Sequence, residues 1–124
     1  MPQPAVAARL RPLIEVGAVA TCGVVDLEVL FSARDAHELA AVRAERELAF
    51  DRVDMTQSDF DRAADVLLRL AQLGLHRAVS LPDLLIGAAA ERAKLTVLHY
   101  DKDFDVLRRV TGQPTEWVVP AGSL

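Results

Sequence analysis

The chain has 124 residues, the length of one ordinary domain, and its hydrophobic content of 52% excludes intrinsic disorder. A formal net charge of −4 argues against a protein that coats nucleic acid non-specifically. No apolar run approaches the roughly 20 residues of a membrane-spanning helix, so no membrane partner is expected. The opening Met1-Pro2-Gln3-Pro4 lacks the basic head and apolar stretch of a secretory signal. The single cysteine, Cys22, agrees with a reducing compartment, and we expect the protein in the cytoplasm.

Helical and strand patterns alternate along the chain. Helices are predicted in six segments, at residues 4–16, 24–32, 35–49, 57–73, 81–90 and 101–109. Short strands are predicted between them, at residues 18–21, 50–55, 95–100 and 116–119, and Cys22-Gly23 is expected to break the first. Strands separated by helices of this length predict a single α/β domain with a parallel sheet sandwiched by helices.

The helix that follows Thr56 has the clearest boundaries. Thr56 is the predicted N-cap, Asp59 three residues later completes a capping box, and Gly74 supplies a left-handed stop. The apolar stripe of this helix is predicted at Phe60, Ala64, Leu67 and Ala71.

Acidic residues stand where predicted strands lead into helices. Asp26 follows the first strand, Asp101 and Asp103 follow the third, and Asp83 opens a helix that is apolar nearly all round. Because ligands of open α/β sheets bind beyond the carboxyl ends of the strands, these carboxylates are expected to meet at one edge. Such crowding raises pKa values unless a cation intervenes, and Mg²⁺ or Mn²⁺ prefers an all-oxygen shell. A metal held this way can activate water and stabilise an in-line phosphoryl displacement.

Three of these residues also have a structural interpretation, whereas Asp101, which directly ends a buried strand, favours a functional one. Asp83 suits the positive end of a helix, Asp103 suits an N-cap, and Asp26 suits an exposed helical surface. Glu28, two residues beyond Asp26, is an alternative for the same role. His99 is predicted to be a packed or capping histidine rather than a ligand.

Three segments resemble the motifs of VapC-type PIN-domain toxins. They are residues 20–28 (ATCGVVDLE), 82–89 (PDLLIGAA) and 98–104 (LHYDKDF), and the closing TGQPTEW at 111–117 is also similar to members from mycobacteria. The resemblance covers essentially the whole chain in the right order. It implies a PIN-like fold and a Mg²⁺- or Mn²⁺-dependent endoribonuclease, the toxin of a toxin–antitoxin pair.

The resemblance also implies partners and site residues. The partners would be structured RNA such as tRNA or rRNA, a cognate VapB-type antitoxin that covers the site, and a second copy in a homodimer. By motif position, Asp83 and Asp101 would bind the metal, with Asp103 close to the same site. Asp26, with Asp83 and Asp101, would be catalytic and would bind the metal; it stands where the family usually has glutamate, and its side chain is one methylene shorter.

The beginning of the chain departs from the family pattern. The family starts with a strand that ends in Asp-Thr or Asp-Ser, whereas this chain opens with residues similar to the helix after that strand. We therefore expect the first strand to be absent from the chain as written and to be encoded upstream. A catalytically inactive remnant that still binds antitoxin or RNA is the alternative. A phosphoacceptor receiver domain is a weaker one, because only Lys102 fits its pattern.

Overall fold

A computed structural model describes residues 3–124, so the Met1-Pro2 part of the opening segment lies outside the described residues. The chain forms two compact units, one ending at Asp54 and the other beginning at Met55. None of the described helices combines the length and the apolar character needed to cross a membrane.

The first unit contains a parallel pair of short strands and three helices. Its elements are α1 (Pro4–Glu15), β1 (Ala20–Cys22), α2 (Gly23–Phe31), α3 (Ala36–Ala49) and β2 (Asp51–Val53). Strand β1 pairs with β2 in parallel, with Ala20 opposite Asp51. Helix α2 begins directly after β1, which places Asp26 in the first turn of that helix. An acidic side chain therefore lies in the first helical turn after the end of a parallel strand.

The second unit repeats this arrangement with a larger core. Its elements are α4 (Gln57–Gln72), α5 (Leu81–Ala93), β3 (Val97–His99), α6 (Asp103–Thr111) and β4 (Thr115–Trp117). Strands β3 and β4 are parallel, with His99 opposite Trp117. The buried core comprises Ala63, Val66, Leu70, Val79, Leu84, Ala88, Val97, Phe104 and Leu107. Because α5 and α6 both pack on this core, the loop after β3 and the start of α5 are held in fixed positions.

The α/β class with parallel strands is confirmed, but the strands are shorter than predicted. Each has three residues, and the described strands pair as β1 with β2 and β3 with β4. Cys22 was expected to break the first strand, yet it is the last residue of β1 and is buried. The cysteine continues the extended backbone because it pairs with Val53 of β2 in the parallel ladder. The prediction of a single domain stays a prediction.

The predicted capping box of α4 is confirmed, whereas its predicted apolar stripe is wrong. Phe60 is half exposed, and the buried face instead carries Asp59 with Ala63, Val66 and Leu70. Arg92 of α5 explains the difference, because its Nε donates to Asp59 Oδ1 at 2.8 Å. A paired carboxylate can be buried without a large penalty, so the helix turns this face toward α5.

Candidate metal centre

Three carboxylates of the second unit meet at one place. Asp83, Asp101 and Asp103 each offer one oxygen, and these oxygens lie within 4.8 Å of one another. Asp101 follows β3, Asp103 is the first residue of α6, and Asp83 lies in the first turn of α5. The sequence predicted that these acids would lie together. An oxygen-only set of this charge fits a hard divalent cation such as Mg²⁺ or Mn²⁺.

Backbone amides hold these side chains in place. The Asp103 amide donates to Asp101 Oδ1 at 2.9 Å, and the Ser80 amide donates to Asp103 Oδ2 at 3.0 Å. Ser80 is also the N-cap of α5, where its Oγ accepts from the Asp83 amide at 3.3 Å. Asp101 and Asp103 are therefore each anchored at one carboxylate oxygen, and Asp83 is anchored through its backbone amide. Because this order exists before any ligand binds, a ligand loses less free energy in ordering the site.

Electrostatic crowding is strongest at Asp83. Burial, the hydrogen bond with Asp103 and the charges of Asp101 and Asp103 together raise the pKa of Asp83 to about 7, against an opposing hydrogen bond with Ser80. Near neutral pH this carboxyl therefore holds a proton part of the time. A cation among the three carboxylates would replace that proton and offset the repulsion.

His99, the last residue of β3, contacts the backbone of Asp101 and is buried. Its Nδ1 accepts a hydrogen bond from the Asp101 amide at 3.2 Å. Its ring packs against Phe104 and Trp117, with centroid distances of 4.9 Å to each. Burial lowers the pKa of His99, which keeps the imidazole neutral and Nδ1 free to accept. The predicted packed histidine is thus also a hydrogen-bond acceptor.

Asp26 belongs to the first unit and has cationic partners of its own. Arg46 donates from Nε and Nη2 to Asp26 Oδ1 at 3.0 and 2.9 Å, and Thr21 Oγ1 donates to the same oxygen at 3.0 Å. Arg52 Nη2 lies 3.5 Å from Asp26 Oδ2, which has no hydrogen-bond partner among the described residues. The membership of Asp26 in the metal centre stays a prediction.

Glu28 and Asp26 cannot serve the same site at once. Residues two apart on a helix point in roughly opposite directions, and Glu28 is exposed whereas Asp26 is buried. Asp26 remains the predicted site residue, and Glu28 remains its alternative.

The sequence analysis missed four residues that position these acids. Ser80 could have been found, because a serine three residues before an acid at a helix start is a capping signal. Thr21, Arg46 and Arg52 could not, since their contacts with Asp26 depend on tertiary structure.

Comparison with known proteins gives the family. The sequence matches the PIN domain family over residues 4–110. It is 45% identical to Ribonuclease VapC51 of Mycobacterium tuberculosis over 122 residues, which are 98% of this chain and 88% of the relative. It is 41% identical to Ribonuclease VapC21 of the same organism over 120 residues, 97% of this chain and 87% of the relative.

Solved structures with a similar fold include two VapBC proteins, one of them described as a member of the VapBC family of toxin–antitoxin systems. VapBC2 from Rickettsia felis, bound to a promoter DNA fragment, matches 92% of this chain and 85% of the solved chain with a TM-score of 0.73 at 15% identity. VapBC-5 from Mycobacterium tuberculosis matches 80% of this chain and 79% of the solved chain with a TM-score of 0.59 at 24% identity. At these identities the two structures show the fold. Taken with the sequence relatives, they show that the chain belongs to the PIN domain family, among the VapC ribonucleases.

Proposed function

We propose that this protein is a Mg²⁺- or Mn²⁺-dependent endoribonuclease that cleaves structured RNA such as tRNA or rRNA. The observation that carries the proposal is the meeting of the Asp83, Asp101 and Asp103 carboxylates within 4.8 Å. Relatives with the name ribonuclease at 41–45% identity support the same activity. If no cation bound among these carboxylates, replacing one of them by a neutral residue would remove their repulsion and stabilise the protein.

The donor set suits phosphodiester hydrolysis. A divalent cation at these carboxylates would lower the pKa of a bound water and stabilise the charge that develops on the phosphate. Asp83 and Asp101 would hold it, with Asp103 beside them. Asp83 must be ionised first, because a carboxylate binds metal in its ionised form. By its motif position, Asp26 of α2 is the further catalytic acid of this proposal.

The proposed partner is a cognate VapB-type antitoxin. Support comes from the solved proteins of similar fold, which are VapBC complexes. The antitoxin would inhibit the toxin by covering the acidic cluster. A basic side chain of the antitoxin would form ion pairs with the three carboxylates there. The toxin itself would form a homodimer and act in the cytoplasm, where its RNA substrates are. Light scattering of the purified protein measures the dimer.

The activity is tested on labelled tRNA and rRNA fragments. The chain, separated from its antitoxin, should cleave with Mg²⁺ or Mn²⁺ and not with EDTA. Asp83→Asn and Asp101→Asn should reduce cleavage to background while the protein stays folded. Asp61→Asn is the matched control, because it removes the same charge from an exposed position on α4 and should cleave at the wild-type rate.

The second candidate is an inactive PIN domain that binds antitoxin or RNA without cleavage. The pairing of Asp26 with Arg46 and Arg52 favours it, because these arginines already neutralise one acid that the family would use. If wild type and both asparagine variants are equally inert while the antitoxin still binds, this second function is correct and the proposed nuclease is refuted.

A further inference from the structure

The burial of His99 is not explained by packing alone. The side chain is 6% exposed, and its Nε2 has no hydrogen-bond partner among the described residues. Because Nδ1 accepts from the Asp101 amide, the ring proton must be on Nε2, where it is buried and unpaired. A phenylalanine would fill the same aromatic cluster without an unpaired donor. An unsatisfied buried group of this kind calls for a compensating role.

The compensating role lies at Nδ1. A side-chain acceptor that binds the amide two residues later closes a tight turn, as asparagine and aspartate do in an Asx turn. Asp101 then repeats the same contact with the Asp103 amide at 2.9 Å. The two consecutive turns begin at His99, so the direction of the Asp101 carboxylate depends on the imidazole. Phe104 and Trp117 hold the ring from two sides.

We propose that His99 is a positioning residue of the metal centre, which aims the Asp101 carboxylate through the hydrogen bond from the Asp101 amide to Nδ1. This inference rests on the proposed function, since it assumes that Asp101 is a metal ligand. His99 itself contacts neither metal nor RNA. Partners that orient metal ligands typically change metal affinity by roughly 10–100-fold when they are replaced.

Calorimetric titration of the full chain with Mn²⁺ tests the inference, together with thermal melting in EDTA. His99→Phe keeps an aromatic ring and removes the acceptor, so Mn²⁺ affinity should fall about tenfold or more. His99→Asn returns an oxygen to the position of Nδ1 and should retain affinity within about threefold of wild type. Val66→Ala is the packing control, because it loosens the buried core from α4 without touching the His99 ring or its acceptor. It should lower the melting temperature and leave Mn²⁺ affinity unchanged.

Wild-type affinity in His99→Phe, or an equal loss of affinity in Val66→Ala, would overturn the inference. If His99→Phe does not fold, His99→Asn and His99→Gln carry the test. Glutamine reaches the position of Nε2 instead of Nδ1, so it should bind Mn²⁺ more weakly than asparagine, and equal affinities would refute the proposal.

Asp101→Asn separates this inference from the proposed function. If that variant binds Mn²⁺ as wild type does, the metal centre is wrong and the role of His99 is refuted with it. If Asp101→Asn loses Mn²⁺ while His99→Phe keeps it, the metal centre stands and only the positioning role is wrong.

Discussion

Asp83→Asn should make the metal-free protein more stable above neutral pH and not below pH 4. In the unfolded chain this carboxyl ionises near 3.8, whereas burial and its acidic neighbours raise its pKa to about 7 in the folded protein. Between these values the unfolded state releases a proton that the folded state retains. The free energy of unfolding of the wild type therefore falls as pH rises through this window, because the folded state binds more protons. Asparagine does not ionise and escapes this loss.

The size of the effect follows from the pKa difference. A shift of about three units corresponds to at most ~4 kcal/mol at 1.36 kcal/mol per unit. Asp83 is only half buried, so solvent screening reduces this to about 1–2 kcal/mol. Asparagine also gives up the favourable interaction of a charge with the first turn of α5, about 0.3–1 kcal/mol. The net gain at pH 8 is about 1 kcal/mol, or about 3–5 °C in melting temperature.

Thermal and urea denaturation in EDTA from pH 4 to pH 8.5 measure this effect. The difference between Asp83→Asn and wild type should grow with pH and level off above pH 7. Asp61→Asn, with the same charge change on an exposed surface, should stay parallel to wild type. Parallel curves for Asp83→Asn and wild type, or a variant that is less stable at pH 8, would refute the electrostatic account of this site.

Three further predictions concern metal binding and the core of the second unit. Mn²⁺ binding should release more protons at pH 6 than at pH 8.5, as measured by calorimetry in buffers of different ionisation enthalpy, and Asp83→Asn should abolish this difference. Gly87→Ala should raise the free energy of unfolding in urea by about 0.5–1 kcal/mol, because alanine has a higher helix propensity than glycine in the interior of α5. The added Cβ would lie 3.4 Å from Leu107 Cδ1, an ordinary contact. A lower free energy of unfolding would show that the core cannot accept the methyl group. Arg92→Leu should cost about 2–4 kcal/mol in the same assay, since it leaves the buried Asp59 carboxylate without its main partner, and a neutral result would contradict that pairing.

The helices and the acidic cluster were predictable from local signals. Thr56 with Asp59 marks a helix start through neighbouring residues alone, and the structure has that capping box. Asp101 and Asp103 were found because a buried strand that leads into a helix places the intervening residues at one edge of the sheet. Such patterns need no knowledge of distant contacts.

The remaining features depend on contacts that are distant in sequence. The buried face of α4 was misplaced because Arg92, 33 residues beyond Asp59, allows the carboxylate to be buried. The surroundings of Asp26 escaped prediction for the same reason, since Arg46 is 20 residues away. Local periodicity treats a charged residue as exposed, and only a tertiary partner reverses that preference.

Anomalous diffraction from crystals grown with Mn²⁺ tests the metal centre most directly. The account predicts a manganese peak with carboxylate oxygens of Asp83 and Asp101 at about 2–2.5 Å, and with Asp103 in the same shell or one water away. Asp101→Asn crystals grown at the same Mn²⁺ concentration should lose the peak. A protein that cleaves RNA with Mn²⁺ but shows its manganese away from these three carboxylates would contradict the account.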